Sequence, residues 1–89
     1  MTHDRLIVRG DPTAPFFHLY AYKDGERQEW VGVLFEDLPE TIIGFLKKYE
    51  LTNVDLSGPH SYLKGVEHSV RNTLVQDYNE CLDVTFRYV

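Results

Sequence analysis

His60 and His68 lie eight residues apart in a segment that reads as a helix, about 12 Å along its axis at 1.5 Å per residue, too far to grip one ion. Ser57-Gly58-Pro59-His60-Ser61 falls between the end of an expected strand and the start of that helix. Such a junction offers an anion backbone N–H groups and the positive end of a helix dipole. Ser57, Gly58, His60 and Ser61 therefore form a candidate anion or nucleotide site. With one glycine and no Gly-Lys-Ser/Thr it is not a P-loop, and the same residues also make an ordinary strand-to-helix turn. Cys81 would be a nucleophile only beside a base, and no histidine lies near it in sequence, so it reads as a small residue. Neither these residues nor His3 and His18 show a metal-ligating spacing, and no metal or cofactor is expected.

The elements that would position such groups begin with a hairpin. Phe16–Tyr22 runs up, Lys23-Asp24-Gly25-Glu26 turns, and Gln28–Phe35 runs back. Asp-Gly between apolar runs signals a type I′ turn, which needs φ > 0 at both central positions. Both strands carry apolar residues on both faces, so one face is expected to meet something other than the helices. With Lys23 paired to Glu26, a regular register puts Phe17, Leu19 and Ala21 opposite Gly32, Trp30 and Gln28 on the drier face. Phe16, His18, Tyr20 and Tyr22 then share the second face with Val33, Val31, Glu29 and Arg27, continued by Asp83, Thr85 and Arg87 of the last strand. This amphipathic set is the expected contact surface, because tyrosine and arginine bury apolar area while keeping a polar tip. His18 within it would make an interface sensitive to pH.

Leu6-Ile7-Val8 reads as a central strand. Asp37-Leu38-Pro39-Glu40 signals a helix start, with Asp37 as N-cap and proline in the first turn. Leu38, Ile42, Phe45, Leu46 and Tyr49 then share one stripe, and Gly44 within that helix hints at close packing. Asn53–Leu56 is a strand, Leu63, Val66, Val70 and Leu74 are the stripe of a second helix, and Leu82, Val84, Phe86 and Tyr88 alternate along a last strand. The order is β-β-β-α-β-α-β over 1–89, a single α/β (two-layer α+β) domain. Right-handed crossovers between parallel strands put both helices on one face of a mixed five-stranded sheet and leave the other face open.

Composition narrows the function. The 43% hydrophobic content excludes disorder, no apolar run reaches a membrane span, and one cysteine allows no internal disulfide, so a reducing cytoplasm is the expected location. A net charge of −5 argues against generic nucleic-acid affinity.

Leu6-Ile7-Val8-Arg9-Gly10-Asp11-Pro12, followed by a hairpin and alternating helices and strands, resembles the ribonuclease H-like fold, in particular its Holliday-junction-resolvase branch. The resemblance implies that Asp11 matches the first metal-binding aspartate and that Asp55, in Val54-Asp55-Leu56, lies near a second acid, the pair serving a metal-dependent nuclease. The family's glycine after Asp-Pro is Thr13 here, and a two-metal site needs more carboxylates than these two.

The expected activity is binding rather than catalysis: a small acidic interaction domain, of the accessory or inhibitor type that phages often encode. It would use the open aromatic face to form a homodimer or to hold a protein partner.

Overall fold

The computed structural model describes residues 4–10, 16–58, 60–78 and 83–89, the side chains of 60–62 excepted. Its elements run β1 (Arg5–Gly10), β2 (Phe16–Lys23), β3 (Glu26–Leu34), a 3₁₀ turn (Phe35–Asp37), α1 (Leu38–Lys48), β4 (Asn53–Ser57), α2 (His60–Gln76) and β5 (Thr85–Tyr88). The sheet order is β3-β2-β1-β4-β5, with β2 antiparallel to both neighbours and β1, β4 and β5 parallel. The crossovers from β3 to β4 and from β4 to β5 progress the same way across the sheet, so right-handed connections place both helices on one face.

That face is the core. Leu6 and Val8 of β1, Phe17, Leu19 and Ala21 of β2, Val54 and Leu56 of β4, and Val84 ahead of β5 are buried. Over them pack Leu38, Ile42, Ile43, Phe45 and Leu46 of α1 and Leu63, Val66, Val70 and Leu74 of α2. Each stripe recurs at helical spacing, and each fully buried aliphatic side chain contributes about 1.5–3 kcal/mol. No described helix is long and apolar enough to cross a membrane.

Local chemistry sets the ends of these elements. Asp24 and Gly25 adopt φ of 56° and 80°, the two positive values that a type I′ turn requires. Asp37 does not cap α1 through its side chain. It closes the 3₁₀ turn in an αR conformation, and its carbonyl accepts a bond from Thr41 Oγ1 at 2.8 Å. α1 ends where Glu50 turns left-handed (φ 55°) and the Leu51 N–H donates to the Leu46 carbonyl at 2.9 Å, a Schellman closure that also buries Leu51. Gly44 faces open space, so the close packing expected there is absent.

α2 and β5 are tied together by side chains. The Tyr88 hydroxyl donates to Glu67, which also accepts from Arg71 Nε at 3.1 Å, and Arg71 reaches the Val84 carbonyl at 3.3 Å. The Tyr88 bond, and after it Arg71, hold the Glu67 carboxyl below its ordinary 4.5, and the same bond pushes the Tyr88 phenol above 10.0. A lowered carboxyl stabilises the fold above its ordinary pKa and loses that contribution as pH falls through the folded value. A raised phenol stabilises it below pH 10 and loses that as pH rises. Tyr88→Phe is therefore expected to lower stability between these limits, by about 1 kcal/mol, because half-buried Glu67 loses one hydrogen bond and keeps Arg71. It should also flatten the acid and alkaline edges of the urea midpoint measured against pH. Unchanged edges would mean that this bond is not formed in solution.

Candidate interaction surface

Strand pairing decides which side chains reach the uncovered side of the sheet. β2 and β3 pair Lys23 with Glu26 and Tyr22 with Arg27, as the turn dictates, but then Ala21 meets Glu29. Gln28 is the extra residue of a β-bulge, and every position beyond it changes face relative to a regular hairpin. Leu19 is opposite Val31 and Phe17 opposite Val33, so both valines pack on the core, while Glu29 on the same side reaches α1. The Glu29 carboxylate pairs with Lys48 at 2.8 Å and accepts the Tyr49 hydroxyl at 2.6 Å, and the bond from Lys48, followed by that from Tyr49, lowers its pKa. Glu29, Val31 and Val33 thus lie on the helix-covered face, not on the open one where a regular register places them. Trp30, Gly32 and Leu34 take their places.

Phe16, His18, Tyr20, Tyr22, Arg27, Thr85 and Arg87 fall on the open face as expected. The rings make a continuous group. Trp30 stacks on His18 at 5.8 Å and 11°, and Tyr20 leans on Trp30 at 6.4 Å and 42°. The Arg9 guanidinium lies 5.9 Å from the Tyr20 ring centre. Trp30 and Phe16 remain 52% and 47% exposed, on a side of the sheet where no described helix packs. Gly32 pairs with His18, whose Nδ1 is a buried atom with no hydrogen-bond partner among the described residues.

The remaining strands add charge. In β1, Arg5, Ile7 and Arg9 alternate with buried Leu6 and Val8 and so face outward. Ile7 pairs with Asp55 and Asp55 with Arg87, which brings three strands' side chains together. Asp55 is the buried charged residue of the described core, 6% exposed, and its Oδ2 accepts from Arg5 at 2.8 Å and Arg87 at 3.3 Å. A carboxylate so desolvated needs such partners. Sequence reasoning missed Arg5, Arg9, Trp30 and Leu34. The alternation Arg5-Leu6-Ile7-Val8-Arg9 carried the signal for the two arginines, whereas the bulge hid Trp30 and Leu34.

The other candidates are less complete. Asp11 and Cys81 lie outside the described residues, as do His3 and the side chains of His60 and Ser61. Asp55, the second acid of the nuclease reading, already binds two guanidiniums. Among the described residues no cluster of three His, Cys, Asp or Glu could hold a metal. Ser57 ends β4 half-buried. Gly58 has φ 141°, and a Cβ there would sit 3.3 Å from the Gly10 backbone, so close approach of the β1 and β4 ends accounts for this glycine without an anion. Comparison with protein-family models, with curated proteins and with solved structures finds no match.

Proposed function

We propose that this chain is a binding domain that acts through the open face of its sheet, docking a partner there rather than catalysing a reaction. The observation that carries the reading is the set of aromatic side chains, exposed Trp30 and Phe16 with half-buried Tyr20 leaning on Trp30, on a side where no described helix packs. Monomeric surfaces seldom leave large apolar groups contiguous unless something binds them, and Trp, Tyr and Arg are the residues that dominate binding energy at contact surfaces. Asp55, the acid at the open-face strand positions, is engaged by Arg5 and Arg87, which leaves its carboxylate committed to holding the sheet.

Tyr20→Glu tests this. Tyr20 points away from the core, so the variant should melt within a few degrees of wild type. In an extract of cells expressing the chain, wild type should elute with a mass well above its own 10.4 kDa, and Tyr20→Glu at the mass of the chain alone. Elution of wild type at 10.4 kDa in extract would contradict the proposal.

A further inference from the structure

We infer that the partner is a single-stranded nucleic acid lying across β1, β2 and β3, an inference that rests on the open face being the binding surface. The chain carries five arginines, and four of them (Arg5, Arg9, Arg27 and Arg87) share this face, with Asp55 the one acid among its strand positions. Asp83, exposed just ahead of β5, alternates with buried Val84 onto the same side, so the face carries a local charge of +2 on a chain of net −5, which leaves −7 for everything else. The described lysines lie elsewhere: Lys23 donates to the Tyr49 carbonyl at the end of α1, Lys47 and Lys48 close α1, and Lys64 is on α2. All the cations of the face are thus planar guanidiniums, which match phosphate geometry and also stack on bases.

Charge and shape together select the occupant. Side chains on one face of a strand repeat about every 6.6–6.8 Å and strands lie about 4.8 Å apart, so Phe16, Tyr20 and Trp30 space aromatic rings along the face, where unstacked bases can lie against them. Arg9 adjoins the rings on the β1 side and Arg27 stands near the hairpin turn, where they flank the rings as phosphate contacts, while Arg5 on β1 and Arg87 on β5 extend the positive surface beyond them. A duplex hides its base faces from the rings. An acidic protein would satisfy the arginines, but it does not present planar faces and anions in the regular alternation that a single strand does. A second copy of this chain, face to face, would set eight arginines against four aspartates. The net charge that argued against nucleic acid from the sequence is concentrated away from this face.

Trp30 is the only tryptophan, so its emission reports on this face alone. The full chain is titrated with single-stranded oligo(dT) and oligo(rU) at low and moderate salt, with polyglutamate as the anionic control, and its mass is followed by sedimentation. Saturable quenching by the oligonucleotides is expected. For about three phosphate contacts, affinity should fall roughly 10- to 20-fold from about 50 to 200 mM salt. Arg9→Ala should weaken binding and reduce the log–log salt slope by about 0.7, whereas Phe16→Ala should weaken it roughly 5- to 100-fold with the slope kept. Melting curves confirm that both variants are folded. Quenching by polyglutamate as strong as by oligonucleotide would overturn nucleic acid in favour of an acidic protein. Concentration-dependent dimerisation without quenching would overturn it in favour of a second copy. Both results leave the binding face standing. A monomer that no probe quenches overturns the inference, and wild type at its own mass in extract then overturns the face as well.

Discussion

Val31→Glu is expected to destabilise the fold by about 3 kcal/mol, while Trp30→Glu, one residue away, should change stability by less than about 1 kcal/mol. Val31 is opposite Leu19 on the helix-covered face and packs on the core, so a carboxylate there has to be desolvated or has to push the strand from the layer. Trp30 lies 52% exposed on the other side, and its replacement removes ring contacts with His18 and Tyr20 without opening the core. Urea denaturation of both variants reads the difference directly. A regular hairpin without the bulge at Gln28 predicts the reverse order, with Trp30→Glu the damaging change.

Asp55→Ala carries the second large effect. The variant removes the carboxylate that Arg5 and Arg87 share and sets two like charges beside each other in the middle of the sheet. Removing one member of a buried ionic group costs about 3–5 kcal/mol, and the partial exposure of both arginines reduces this to about 2–3 kcal/mol. Arg87→Ala should cost less than about 1 kcal/mol, because the arginine is 62% exposed and Asp55 keeps Arg5. Urea midpoints give the ratio. The same variant separates structure from function: where Asp55→Ala remains folded, the face has gained a unit of positive charge and should bind oligonucleotide more tightly, with a steeper salt dependence. Weaker binding by the folded variant would argue that Asp55 serves the ligand directly.

Much of the architecture was legible because it is written in short-range chemistry. Asp24-Gly25 fixed the turn, the stripes through Ile42 and Leu46 and through Val66 and Val70 located both helices, and the alternation of Val84, Phe86 and Tyr88 oriented the last strand. With right-handed crossovers these implied an open sheet face. The membership of that face was only half legible. The turn alone specifies a regular register, and the bulge at Gln28 arises from tertiary competition, in which Val31 and Val33 fit beneath α1 and Glu29 reaches Lys48 and Tyr49. Charge was hidden for a related reason. Asp55 lies 50 residues from Arg5 and 32 from Arg87, and only the parallel pairing of β1, β4 and β5 collects arginines that are scattered along the sequence onto one surface. The sign of the whole chain thus gave no warning of the sign of its open face.

The measurement that bears most directly on the binding face is hydroxyl-radical footprinting of the chain, purified and in cell extract at equal concentration. Phe16, Tyr20 and Trp30 report on the open face, and Phe35 and Tyr78, also exposed, report on surfaces away from it. Oxidation of Phe16, Tyr20 and Trp30 is expected to fall in extract while Phe35 and Tyr78 oxidise as before. Equal oxidation of all five in both samples, or protection confined to Phe35 and Tyr78, would contradict the binding face.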